Sequence, residues 1–158
     1  MDFYSPTRGK LSFGAVFEDI IHYTNENPED KHKLIIGTDS HLYTQRSIVF
    51  VTAIIIHRIG KGGRFYYRKL RTRHMDSLRQ RIYYETSLSL EVAARVTEKL
   101  AQNGEQRLNV EIHLDVGEKG ETREIIKEVV GMVIGSGYPA RIKPDSYGAT
   151  TIADRFTH

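Results

Sequence analysis

Acidic residues in this chain fall where a carboxylate needs a reason. Asp39 sits inside residues 33–43, a run whose apolar members Leu34, Ile35 and Ile36 read as a strand buried in a sheet. Burying an uncompensated carboxylate costs several kcal/mol, so a cation, a proton or a cationic partner must offset it. Glu85 occupies the missing place in a stripe of Leu78, Ile82, Ser89, Val92, Val96 and Leu100, which aims its carboxylate at the sheet. A lone glutamate on such a stripe is more simply a snorkelling side chain or the partner of an arginine. Asp115 closes a further strand just before Gly117, while Asp145 and Asp154 bracket the last helix.

If the strands bearing Asp39 and Asp115 run parallel side by side, the two acids meet near the strand ends and Glu85 reaches them from the helix. Their repulsion then raises at least one pKa unless divalent cations hold them ionised. Two hard cations roughly 3.5 to 4 Å apart, bridged by an aspartate, suit in-line displacement at phosphorus: one activates the attacking water and the other stabilises the leaving oxygen. The chain has no cysteine, which removes thiolate sites and leaves carboxylate and histidine ligands. Mg²⁺ or Mn²⁺, as a pair, is the expected cofactor. His41 shares the face of Asp39, and His113 that of Asp115. A histidine near a scissile phosphate can shuttle protons, but an isolated histidine in a sheet is more often a hydrogen-bonded structural residue.

The elements that must position these groups follow from period and punctuation. Ser12 caps a helix running to about residue 25, ended by Pro28. Strands over 33–43, 47–57 and 64–73, joined by short turns, form an antiparallel meander. A long helix covers about 77–102 and stops at Asn103 and Gly104. Strict alternation over 108–116 gives a fourth strand, followed by a helix over 122–134, a short strand over 140–143 and a last helix over 146–158. The expected fold is α/β, a mixed five-stranded sheet in the order βββαβαβα behind an extra N-terminal helix. All 158 residues are expected in a single domain, 1–30 as a helical extension and 33–158 as the core.

The net charge of +3 is mild, but its distribution is not. Lys61, Arg64, Arg68, Lys69, Arg71, Arg73, Arg79 and Arg81 face Asp76 alone and interleave with Phe65, Tyr66, Tyr67 and Tyr83. Cations match phosphates and rings match unpaired bases, so the strand is a candidate nucleic-acid surface. A solvated edge strand protected by charge explains it equally well. Lys143 is a second candidate phosphate contact, and so is the segment 117–122, whose glycines also suit a simple turn. No basic leader followed by a long apolar stretch opens the chain, and residues 48–56 are too short to span a bilayer. A cytoplasmic protein without membrane association is the expectation.

The order of elements, with Asp39 in the first meander strand, Glu85 in the long helix, Asp115 ending the fourth strand and an acid in the last helix, resembles the ribonuclease H-like superfamily. Gly37 to His41, Tyr84 to Thr86, His113 to Gly117, and Lys143 to Ser146 with Ala153 and Asp154 are similar to the YkuK-type ribonuclease H-like family. The likeness covers about residues 33–158. It implies that Asp39 bridges two metal ions, that Glu85 and Asp115 each complete one, and that the last helix supplies a further carboxylate. The superfamily pattern favours Asp154 for that role, whereas the apolar face of the last helix includes Asp145 and leaves Asp154 on its flank. Asp145 also suits a helix cap, a ligand or a proton carrier. The carbonyl of Ser40 is a further candidate metal oxygen. The implied activity is metal-dependent hydrolysis of RNA or DNA phosphodiesters by a metal-activated water. The alternative is a non-catalytic nucleic-acid-binding module of the same fold. A phosphotransferase of related fold needs a second domain and a phosphate loop, for which the chain has no room.

Overall fold

The β-branched runs of residues 32–58 make two long antiparallel strands, and the rest of the chain is arranged around them. The computed structural model describes residues 1–117 and 123–146. In chain order the elements are β1 (Asp2–Ser5), β2 (Gly9–Ser12), α1 (Phe13–Glu26), β3 (His32–Thr44), β4 (Ser47–Arg58), β5 (Gly62–Arg73), α2 (Leu78–Gln102), β6 (Val110–His113), a 3-10 turn (Arg123–Ile125), α3 (Ile126–Gly135) and β7 (Ala140–Arg141). They build a mixed α/β structure with one seven-stranded sheet ordered β2-β1-β5-β4-β3-β6-β7. β3, β4 and β5 are antiparallel neighbours, whereas β6 runs parallel to both β3 and β7.

Among the described residues seven strands replace the five expected, because a hairpin precedes the first helix. β1 and β2 have four residues each, too few to display a period of two. Their turn is held by the Ser5 hydroxyl, which accepts from the amides of Thr7 and Arg8 at 3.3 Å. Phe3 is fully buried beneath this hairpin, so residues 1–30 extend the sheet as well as adding a helix. The strand expected over 108–116 is assigned only to Val110–His113. Its backbone still continues alongside the next segment, since the amide of Leu114 donates to the Arg141 carbonyl and that of Lys143 to the Val116 carbonyl. Residues 118–122 and the body of the helix expected over 146–158 lie outside the described residues.

Alternation divides the sheet into two faces. Leu34 and Ile36 of β3 and Ile54 and Ile56 of β4 join Val16, Phe17 and Ile20 of α1 and Val92, Ala93 and Val96 of α2 in the main core. Each fully buried aliphatic side chain there contributes on the order of 1.5–3 kcal/mol. Both helices begin with a serine cap: Ser12 accepts from the amide of Ala15, and Ser77 from that of Gln80. α2 ends as its sequence indicates, with Gly104 at φ +64° and the Glu105 amide bonded to the Leu100 carbonyl. Among the described residues no helix is long and apolar enough to cross a membrane.

Candidate metal and nucleic-acid site

The stripe of α2 delivers Glu85 to the underside of β3, where the strand presents Thr38 and Ser40. Thr38 Oγ1 lies 2.8 Å from Ser89 Oγ and 2.9 Å from Thr52 Oγ1, forming a buried hydroxyl chain across α2, β3 and β4. Ser40 Oγ donates to Glu85 Oε2 at 2.5 Å. Arg81, one turn before Glu85, donates from Nη2 to the Ser40 carbonyl at 3.1 Å and to Ser40 Oγ at 3.0 Å. The sequence reading counted Arg81 only among the basic residues. Its i, i+4 spacing from Glu85 was the available signal for a cation beside that acid.

Asp39 points to the opposite face, with its Oδ2 3.5 Å from Nε2 of His41. It is nevertheless buried, at 6% exposure. The parallel register ends with Gly37 opposite His113, so Asp115 lies two residues beyond β6 as Asp39 lies two residues further along β3. Burial pushes the Glu85 carboxyl up to about 8; the Ser40 hydrogen bond opposes that rise, while the charges of Asp39 and Asp115 reinforce it. Asp39 and Asp115 are therefore each within electrostatic reach of Glu85, although Glu85 meets Ser40 rather than Asp39.

A cation of the chain already faces them. Lys143 Nζ lies 2.7 Å from Asp115 Oδ1. The hydrogen bond to Asp115, partly offset by burial, and the charges of Asp115, Asp39 and Glu85 hold the Lys143 ammonium above its usual range. Lys143 is thus engaged by Asp115 while more than half of its side chain stays exposed.

Among the described residues, no group of three or more histidine, aspartate or glutamate side chains is gathered closely enough to hold a metal ion. The donor set still fits a hard divalent ion in its chemistry. Its candidates are carboxylate and carbonyl oxygens, buried Glu85 feels the charges of Asp39 and Asp115, and an ammonium sits on Asp115. The Ser40 carbonyl, an expected ligand, is engaged by Arg81. Asp145 is exposed in the turn after Ile142, and its amide donates to the Ile142 carbonyl at 2.7 Å. Asp154 lies outside the described residues.

His113 joins a different group. Its Nε2 is 2.7 Å from Glu111 Oε1, which also lies 3.5 Å from Lys33 Nζ and 3.8 Å from Arg141 Nε. Burial lowers the His113 pKa against the opposing pull of Glu111. This pairing is the structural role that the sequence reading ranked first for a lone histidine.

The basic strand divides by face. Arg64 is committed to structure: Nη1 is 3.2 Å from Oδ1 of the buried Asp19, and its guanidinium lies 4.8 Å from the centre of the Tyr23 ring. Tyr66 donates its hydroxyl to the same aspartate. Arg68 shares the helix side with Tyr66, half-buried. Lys69, Arg71 and Arg73 are exposed on the other face, with the Arg71 guanidinium 3.9 Å from the centre of the Tyr43 ring. Register connects this face to the acids, since Lys69 pairs with Val51 and Val51 with Asp39, while Arg71 pairs with Val49 and Val49 with His41. Two strand spacings, about 10 Å, separate the rows.

Comparison with known proteins agrees with this arrangement at the level of family. A family model described as "Ribonuclease H-like" matches residues 15–158. The uncharacterised protein YkuK of Bacillus subtilis (strain 168) is 36% identical over 169 aligned positions, which cover 98% of this chain and 96% of that relative. No solved structure matches the chain. By the extent of both similarities, the chain belongs to the ribonuclease H-like family.

Proposed function

We propose that the protein is a divalent-metal-dependent nuclease that hydrolyses phosphodiester bonds in RNA or DNA. The observation that carries this reading is the burial of two acids side by side in the fold, Glu85 of α2 bonded to Ser40 and Asp39 next to Ser40 on β3; burial, with the charges of Asp39 and Asp115 behind it, raises the Glu85 pKa. Family membership points to nucleic acid, and the exposed Lys69 and Arg71 lie in register with Asp39 and His41. Asp39, Glu85 and Asp115 would hold Mg²⁺ or Mn²⁺, with Asp154 or Asp145 as a fourth donor. A cation bound there supplies Lewis acidity to the water and phosphate oxygens of the hydrolysis. Lys69, Arg71 and Arg73 neutralise phosphates, and Tyr43 offers an exposed ring at the adjacent hairpin. His41, 3.5 Å from Asp39, would accept or return a proton.

A binding module without catalysis is the second reading. It is favoured by the absence of a gathered metal cluster among the described residues and by the engagement of Ser40 with Arg81 and of Asp115 with Lys143. Cleavage of labelled single-stranded RNA, single-stranded DNA and an RNA–DNA hybrid, with Mn²⁺, Mg²⁺ or EDTA, separates the two. Metal-dependent cutting supports the nuclease, whereas tight salt-sensitive binding without cutting leaves the module.

A further inference from the structure

Lys143 reaches Asp115 by a route built into the backbone. Its amide donates to the Val116 carbonyl at 2.8 Å, which fixes the residue beside the end of the Asp115 segment. A side chain on Gly117 would bring its Cβ to 3.4 Å from Cβ and 3.8 Å from Cδ of Lys143, so the lysine stem lies along a bare glycine. The ammonium ends 2.7 Å from Asp115 Oδ1, with more than half of the side chain's surface exposed. It therefore neutralises the acids from the solvent side and has space to leave.

We propose that Lys143 is the resident counter-cation of the carboxylate site and is displaced when a divalent cation binds, so that it sets the affinity and selectivity of the site for metal. The inference rests on the reading of Asp39, Glu85 and Asp115 as the metal ligands. An ammonium is a point charge on a flexible stem; it can satisfy one carboxylate but cannot be shared as closely among several as a divalent ion can. The exchange favours an ion that engages Asp115 together with further acids, whereas Lys143 engages Asp115 alone until it arrives. Once released, the ammonium remains near the site and within reach of a substrate phosphate, which reconciles its place on Asp115 with the phosphate role expected from sequence.

The test is Mn²⁺ binding, followed by the electron paramagnetic resonance signal of the free ion, for the wild type and the variants Lys143→Met, Lys143→Arg, Arg141→Met and Asp115→Asn. Arg141 is a neighbouring cation that lies against Glu111 rather than Asp115, so its variant reports general charge. Removing a half-exposed competitor should tighten binding about fivefold in Lys143→Met. Lys143→Arg should stay near wild type, Arg141→Met should change by less than about twofold, and Asp115→Asn should bind weakly. Modification of Lys143 by an amine-reactive reagent, read by mass spectrometry, should rise when Mn²⁺ is added. Equal affinity of Lys143→Met and wild type, with weak binding by Asp115→Asn, overturns the displacement and leaves the metal site standing. Equal tightening by Lys143→Met and Arg141→Met reduces the effect to net charge and also overturns it. No binding by either wild type or Lys143→Met removes the metal site itself.

Discussion

Ser40 donates its hydroxyl to Glu85 across the interface of β3 and α2, while its neighbour Asp39 faces the other side of the sheet. Strand alternation therefore gives the helical acid a hydroxyl partner rather than a direct carboxylate contact. Ser40→Ala removes a hydrogen bond that lowers the Glu85 pKa and leaves a buried acid without that donor. The expected cost is about 1–3 kcal/mol of unfolding free energy, largest above pH 8, where Glu85 must ionise. Urea denaturation at pH 6 and pH 9 measures it, and an equal loss at both values would show that the bond is indifferent to the charge on Glu85.

Glu85 also predicts how stability depends on pH. Its folded pKa, about 8, lies above the ordinary value of 4.5. Between those values the native state keeps a proton that the unfolded chain releases, so its contribution is full below about pH 4.5 and is lost as pH rises toward 8. Without divalent cations, unfolding free energy should fall across that window, and Glu85→Gln should flatten the slope. Mn²⁺ should restore more stability at pH 8.5 than at pH 6, because it favours the ionised acid. Denaturant titrations at several pH values test this, and an identical slope in Glu85→Gln would exclude Glu85 as its source.

The long periodic elements were legible because burial writes a pattern over many residues. The Glu85 stripe spans α2, β4 is apolar over most of its length, and β3 opens on the apolar run Leu34, Ile35 and Ile36. The β1–β2 hairpin was not, since four residues and a turn carry no period. Composition identified the basic strand but not its division: Arg64 is committed to a buried aspartate that lies 45 positions earlier in sequence. Lys143 had the same limitation. Its residue type suggested phosphate, and only the extension of the β6–β7 pairing brings it to Asp115.

That division makes opposite predictions for two arginines on one strand. Arg64→Ala leaves Asp19 buried with Tyr66 and the more exposed Arg8 but without the Arg64 guanidinium, so the loss should appear in folding stability, about 2 kcal/mol. Arg71 is exposed and stacked on Tyr43, so Arg71→Glu together with Lys69→Glu should leave the melting temperature within a few degrees. The double variant should instead weaken nucleic-acid binding at least tenfold and flatten its salt dependence. Thermal melts and fluorescence anisotropy at several salt concentrations separate the effects, and unchanged affinity and slope would return Lys69 and Arg71 to ordinary surface.

Asp39 provides the sharpest test of the proposed chemistry because its folding role and its catalytic role have opposite signs. Its carboxylate is buried, and its charge raises the pKa of Glu85, so ionised Asp39 opposes ionised Glu85 in the metal-free protein. Asp39→Asn removes that repulsion while preserving shape, and folding stability without metal should be unchanged or slightly higher. It also removes the acid expected to bridge two ions, so metal-dependent cleavage should fall by at least a hundredfold and the stabilisation by Mn²⁺ should shrink with it. A variant that cuts normally dismisses the centre. One that loses cleavage and stability together assigns Asp39 to the scaffold. Only retained stability with lost cleavage and weakened metal binding fits a carboxylate kept for its charge, and circular dichroism melts with and without Mn²⁺, alongside the cleavage assay, distinguish the three outcomes.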